Sequence, residues 1–519
     1  MAFIIGIDIG TTNTKAVAFT IHGEVIASAG ASYSVLPGPP GCHELDPEQL
    51  FEAVLSVLKE VYGNCAGGRE ETLAGISFSC AMHSLIAVDE SGRLLTHAMT
   101  WADLRSTPFA DSLKGSPAGR RIYQQTGTPI HPMSPLCKLL WLKDKEPAIF
   151  GRTAKFISIK EYIWWRLFGK YQIDYSIASA TGLFDIYSFE WYPESLELTC
   201  IGIDHLSEPV PCTHTESALH KEYRDSLGLP VNLPWIIGGS DGCLANLGSL
   251  AVNSRETALT IGTSGAVRMT TGVPRYDPKE RIFNYILTRD LYIAGGAVNN
   301  GGEVLQWFIR QFPASVEGLS PAQGLRVEPG SSPAQGSSSG RSVAGKSDDL
   351  TAEADSVAPG SEGLIFLPYL QGERAPIWDA KARGMFFGIR SGHEHSHFMR
   401  AVMEGICFSL YQVGESLEET IGPIEHIYAS GGFIRSRTWL QMIADVFNRR
   451  VYVTNVADAS AIGAVIMGFY ALGLVGSLQA GAAIIRIQET FEPDEGRHWI
   501  YRKNERVFSE LYIRLKDLM

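Results

Sequence analysis

Two short segments half a chain apart follow one grammar, and they constrain the fold more than any other feature. Ile7, Asp8, Ile9, Gly10, Thr11 and Thr12 end an apolar run with a glycine and two hydroxyl residues, and Leu259, Thr260, Ile261, Gly262, Thr263 and Ser264 repeat the pattern. A short apolar run closed by a turn reads as a buried strand. Its recurrence at this separation reads as an internal duplication. With 519 residues the chain has room for one, since a single hydrophobic core seldom grows past roughly 250–300 residues. Two similar lobes facing one cleft are expected, with the boundary near 248–256: residues 1–250 form the first lobe, 251–480 the second, and 481–519 a C-terminal extension.

Strands and helices alternate around these segments, which indicates an α/β class. FIIGIDIG, TTNTKAVAFT and EVIASAGASYSV read as consecutive hairpin strands with a turn at His22 and Gly23. A helix is predicted from 47 to about 62, with Asp46 as N-cap and Leu50, Val54, Leu55 and Leu58 at helical spacing. LAGISFSCAMHS reads as a buried strand ending in small and polar residues. From 313 to 348 the composition shifts to Ser, Gly, Pro and Ala, a surface insertion or linker to which no chemistry is assigned.

Composition excludes several classes. A formal charge of −12 leaves no concentrated basic surface for nucleic acid or an anionic membrane. The eight cysteines are scattered without a CxxC pair or metal-ligand spacing, so neither zinc nor a disulfide framework is signalled. MAFIIGIDIG lacks a basic n-region and carries Asp8, which favours a strand over a signal peptide and hence a cytoplasmic enzyme. Between Asp458 and Arg486 no residue is charged, a length that would span a bilayer. Gly463, Gly468, Gly473, Gly476 and Gly481 interrupt it, so it reads as a buried helix, a turn and a following segment.

The segment Asp8 to Lys15 is the first chemical signal. A glycine turn lets backbone N–H groups approach phosphate oxygens, Thr11 and Thr12 add hydroxyl donors, and Lys15 adds positive charge. Asp8 can hold Mg²⁺ directly or through water. A hairpin with a polar tip is the bland reading. Gly262, Thr263, Ser264 and Gly265 would be the matching loop of the second lobe, or only a turn. Asp241, in WIIGGSDGCLANLGSL, follows a short strand and opens a helix; it reads as a helix N-cap, as a base, or as both. In phosphoryl transfer a base mainly aligns the attacking hydroxyl and takes its proton late. Met82 and His83 end a buried strand, and Trp101, Asp103 and Arg105 follow after another strand-and-turn unit. Together they offer a flat face, a hydroxyl acceptor and a cation to a polyol.

These residues resemble the FGGY carbohydrate kinases over nearly the whole chain apart from the Ser/Gly/Pro stretch. MSPLCKLLWL at 133–142 is similar to the family's first signature, and GMFFGIRSGHEHSHFMRAVMEG at 384–405, with Gly388, His397, Ala401 and Glu404, to its second. The resemblance implies two ribonuclease-H-like domains, as in actin and hexokinase, with ATP and Mg²⁺ in the cleft between them. It implies Asp241 as catalytic base, Asp8 and Asp241 as metal ligands, and Gly10, Thr11, Thr12, Lys15, Gly262 and Thr263 as phosphate-binding residues. Gly302, Gly432 and Ser436 would line the nucleotide, with Ser436 where the family often has Asn; Met82, His83, Trp101, Asp103 and Arg105 would line the sugar.

Within the family SCAMHS, TWADLRS, TGTPIHPMSPL, SIKEYIW, DYSIASATGL and NNGGEVLQW look most like the members that phosphorylate gluconate, which implies ATP and D-gluconate giving ADP and 6-phosphogluconate. An anionic substrate needs a cation; Arg105, Lys160 and His83 are the candidates, in that order. A kinase for another sugar acid, a pentulose or a polyol is the alternative. From a different class comes an actin-like ATPase or nucleotide-gated binding module without sugar transfer. The partner expected is a small-molecule sugar acid or sugar, with no nucleic acid and no membrane, and a homodimer as the candidate assembly.

Overall fold

The computed structural model describes residues 2–65, 72–313, 353–456 and 458–519; the insertion read from composition lies outside them from residue 314 onward. The opening apolar run forms β1 (Ala2–Ile9), which pairs antiparallel with β2 (Asn13–Thr20), itself antiparallel to β3 (Val25–Ser32). The hairpins expected from the first residues are therefore present. α1 (Pro47–Cys65) buries Leu50, Val54 and Leu58, and the Glu48 N–H donates to Asp46 Oδ1 at 3.0 Å at its start. β4 (Thr72–Cys80) runs parallel to β1, and β5 (Trp235–Ser240) parallel to β4. With the two-residue edge strand Thr215–Glu216 they make a six-stranded sheet.

The second half builds the same motif again. β6 (Glu256–Ile261), β7 (Gly265–Thr271), β8 (Phe283–Thr288), β9 (Leu291–Val298), β10 (His426–Ser430), β11 (Val451–Thr454) and β12 (Ile487–Phe491) form a seven-stranded sheet in the order β8-β9-β7-β6-β10-β11-β12. Its inner order β9-β7-β6-β10-β11 repeats β3-β2-β1-β4-β5 of the first: three antiparallel strands, then two parallel ones. The repetition extends to side chains. Asp8 on β1 lies opposite Ser79 on β4, whose Oγ donates to Asp8 Oδ1 at 2.6 Å; Thr260 on β6 lies opposite Ser430 on β10, with their hydroxyls 2.9 Å apart. One lobe carries a carboxylate where the other carries a hydroxyl.

Seven further helices matter for the site: α2 (Pro135–Lys145), α3 (Ile159–Phe168), α4 (Asp241–Gly248), α5 (Gly302–Gln311), α6 (His395–Thr420), α7 (Arg437–Phe447) and α8 (Ala459–Ala471). The uncharged stretch after Asp458 is α8. It packs on α4 and on β1 and β4 of the first lobe, so that it is covered by both halves, which is why it tolerates no charge. Gly463 permits the approach: a Cβ there would stand 1.9 Å from the Leu244 carbonyl oxygen. Among the described residues no helix is long and apolar enough to cross a membrane. Beyond residue 481, β12 edges the second sheet and α9 (Glu495–Leu515) packs on α7, so these residues are part of the second lobe's architecture.

Candidate active site

Asp241 is delivered to the cleft by an irregularity in β5. The pairing of β5 with β4 shifts between Ile236 and Gly239, and Gly238 in that gap has φ +68°. A Cβ at 238 would lie 1.7 Å from the Phe78 carbonyl oxygen, so only glycine can make this bulge. The strand then ends at Ser240, whose hydroxyl accepts from the Cys243 N–H at 3.3 Å. Ser240 is thus the N-cap of α4 and Asp241 its first residue, which corrects the expectation that Asp241 itself caps the helix. Freed from capping, the Asp241 carboxylate accepts only the N–H of Gly242 within its own turn, at 2.7 Å. Burial raises its pKa, and the Arg268 guanidinium is the largest opposing influence.

A cavity of about 280 Å³ opens at Asp241. Met82, His83 and Trp101 line it from the first lobe, together with Thr11 from the first glycine turn. Gly262 and Ser264 of the second turn close its far end. His83 is fixed as a neutral ring: Nδ1 donates to the Ala180 carbonyl at 2.7 Å, Nε2 accepts from the Tyr285 hydroxyl at 3.4 Å, and burial pushes its pKa down to about 3. Lys138 of the first signature is buried in α2, where its Nζ donates to the carbonyls of His83 and Met133, at 2.5 and 2.8 Å. Its role is to hold the strand end that carries Met82 and His83.

A second cavity of about 250 Å³ lies against the same turn, lined by Gly262, Thr263, Gly302, Gly432 and Ser436. Gly262 is common to both cavities. The second turn is tied to α5, because the Gly302 N–H donates to the Gly262 carbonyl at 2.7 Å and Glu303 N–H to that of Thr263 at 3.2 Å. A glycine-bordered floor is the feature that lets a polyphosphate approach the backbone here. Ser436 also caps α7, accepting from the Trp439 N–H at 3.3 Å. Trp439 and Phe433 add an apolar wall.

The first turn is placed less simply. Asp8, Gly10 and Thr12 flank Thr11 without lining either cavity. Asp8 has its pKa raised to about 7 by burial and by repulsion from Asp458 and Asp241, with the Ser79 hydroxyl opposing. Lys15 is paired with Asp458 at 3.0 Å and stands 47% exposed, again off both walls.

The cations assigned to a substrate carboxylate are engaged elsewhere. Arg105 donates through Nε to both oxygens of Asp103, at 3.1 and 3.0 Å, reaches Glu44 Oε1 at 2.5 Å with Nη2, and lies 4.5 Å over the Trp141 ring. Asp103 is buried in that pair and also accepts the His43 N–H at 3.0 Å. Lys160 is buried on α3, 2.6 Å from Asp174 Oδ2, and donates to the carbonyls of Gly239 and Ile237, at 2.8 and 3.2 Å. None of Asp103, Arg105 and Lys160 lines the cavity, and His83, which does, is uncharged. The charged groups on the wall besides Asp241 are Arg268, from β7, and Arg374. Neither was singled out from sequence. Arg268 is the lone charge in GAVRMTT, an otherwise buried strand, and that was the available signal.

Two ribonuclease-H-like lobes closing on joined cavities define an ATPase fold of the actin and hexokinase type. The N-terminal domain model of the FGGY family of carbohydrate kinases matches residues 3–248, and the C-terminal domain model matches residues 257–472; the chain belongs to this family. It is 40% identical to a gluconokinase of Bacillus subtilis (strain 168) over 511 residues, 98% of this chain and 95% of that one. The fold superimposes on the gluconate kinase from Lactobacillus acidophilus with a TM-score of 0.89 at 34% identity, covering 99% and 98% of the two chains. A ligand-bound xylulose kinase from the same organism gives 0.90 at 33%, covering 99% of each.

Proposed function

We propose that this carbohydrate kinase transfers the γ-phosphoryl group of ATP to the terminal hydroxyl of D-gluconate, giving ADP and 6-phospho-D-gluconate. The observation that carries the reading is the junction at Gly262, where a cavity holding a carboxylate base meets one bordered by glycine turns. The full-length likeness to gluconokinase supports gluconate as the acceptor.

In this mechanism Asp241 orients the acceptor hydroxyl toward the phosphorus and takes its proton as the new O–P bond forms and the bond to the β-phosphate oxygen breaks. The transition state is loose, so an ionised carboxylate of modest basicity suffices. Thr11 and Thr263 offer N–H and hydroxyl donors to the transferring group, and Gly262 lets it approach the turn. The carboxylates of Asp8 and Asp241 fit a hard divalent cation such as Mg²⁺, since burial raises the pKa of each and the two are near enough to repel each other. When bound, Mg²⁺ would offset phosphate charge. Lobe closure excludes water from the phosphoryl group. ATP and a sugar acid meet in the cytoplasm, the setting this reading assigns.

A neutral pentulose is the second reading, favoured by the equally close fold of the xylulose kinase. ADP release measured over D-gluconate, D-xylulose, D-ribulose and glycerol separates the two. The highest kcat/KM is expected for gluconate, with product mass matching its monophosphate. Higher kcat/KM for xylulose would give the second reading precedence, and ADP release without any acceptor would make the chain an ATPase.

A further inference from the structure

The cavity beside Asp241 carries more positive charge than the phosphoryl transfer requires. Its wall holds one carboxylate, Asp241, and two guanidinium groups, Arg268 and Arg374, while His83 is neutral. Asp241 attracts Arg268 and the buried Glu373 attracts Arg374, but neither carboxylate forms an ion pair with a guanidinium among the described residues, and a buried cation without a direct partner is disfavoured.

Both arginines are built in place and left open. The Arg268 side chain crosses a slot that two glycines clear: a Cβ at Gly242 would meet its Nε at 3.2 Å, and one at Gly295 would meet its Cγ at 3.2 Å. Its Nη1 is buried with no hydrogen-bond partner among the described residues. Arg374 is 8% exposed, lies 4.6 Å over the Trp101 ring, and gives Nη2 to the Val298 carbonyl at 3.2 Å, while its Nε is buried and unpartnered. Burial lowers the pKa of each, Arg374 to about 10.

Resting on the reading of the substrate as a sugar acid, we infer that Arg268, with Arg374 beside it, binds the substrate carboxylate and sets the preference for an acid over a neutral sugar. A carboxylate supplies the direct partner that Arg268 Nη1 and Arg374 Nε lack among the described residues, and its two oxygens match the donor fork of a guanidinium. Arg268 starts four residues past Ser264 of the second turn, about 13 Å along an extended strand, and its side chain passes Gly242 next to Asp241, so the comparison of acid and neutral acceptors is what separates carboxylate binding from phosphate binding.

The test compares D-gluconate with D-glucitol, in which CH₂OH replaces the carboxylate, for wild type, Arg268→Met and Arg268→Lys. Titration with ADP reports whether each variant is folded. Arg268→Met is expected to raise KM for gluconate about 10–100-fold while KM for glucitol and for ATP moves far less, so that the gluconate-to-glucitol ratio of kcat/KM collapses whatever the variant does to the turnover common to both acceptors. Arg268→Lys should recover part of that ratio. Arg268→Met that keeps the wild-type ratio would overturn the inference; a ratio kept while kcat falls equally for both substrates would place Arg268 with Asp241 or the transferring phosphate. Wild type that prefers glucitol or xylulose to gluconate would refute the substrate reading and this inference together. A wild-type gluconate preference left intact by Arg268→Met would refute this inference alone.

Discussion

Arg105 and Lys160 on one side of the cleft, and Arg268 and Arg374 on the other, are all cations shielded from water, yet they are bound in opposite ways. The first two are closed: Arg105 is held by Asp103 and Glu44, Lys160 by Asp174 and two carbonyls. The second two keep buried nitrogens without hydrogen-bond partners among the described residues and face a cavity. A buried cation that has its carboxylate is part of the framework, whereas one left open is available to a ligand.

The contrast is sharpest in stability. Lys160→Met leaves Asp174 buried and uncompensated, and should lower the unfolding free energy by about 3–5 kcal/mol, read by chemical denaturation. Arg268→Leu removes a charge that has no ion-pair partner among the described residues, though it offsets the burial of Asp241, so a smaller loss is expected; an equal loss in both would erase the distinction. Arg105→Ala should cost about 1–3 kcal/mol through the lost pair and ring contact, with KM for gluconate within about twofold of wild type. A large rise in that KM at unchanged stability would move Arg105 to the substrate.

The smallest effect is a pH dependence on the closed side. Glu161, buried at the start of α3, has its pKa raised by burial from 4.5 to about 7. The folded state therefore keeps a proton that the unfolded chain has released, and wild type loses stability as pH rises from 4.5 through 7. Glu161→Gln removes that loss. It should be more stable than wild type at pH 8 and indistinguishable below pH 4.5. A gap that shrinks as pH rises would contradict the raised value.

Local patterning made the scaffold legible: the three N-terminal strands, α1 and the paired glycine turns all follow from runs of a dozen residues or fewer. Asp241 was legible because strand, glycines and helix are contiguous around it. That Ser240 rather than Asp241 caps α4 was not, since both residues are suitable caps and the bulge at Gly238 decides between them. The cations chosen from sequence for a substrate carboxylate turn out to be engaged elsewhere, because engagement is a three-dimensional property. Glu44 and Asp174, which close Arg105 and Lys160, lie in other segments of the chain, and Arg374 reaches Trp101 from the second lobe. The uncharged run of α8 was ambiguous in sequence because two-sided burial between lobes and burial in lipid ask for the same residues.

Single-turnover phosphorylation of gluconate by Asp241→Asn, alongside ADP titration, bears most directly on a base set between two glycine turns. Loss of about 10³-fold or more in rate is expected, with ADP affinity within about threefold of wild type. Transfer at a rate near that of wild type would remove Asp241 from the chemistry and with it the proposed mechanism.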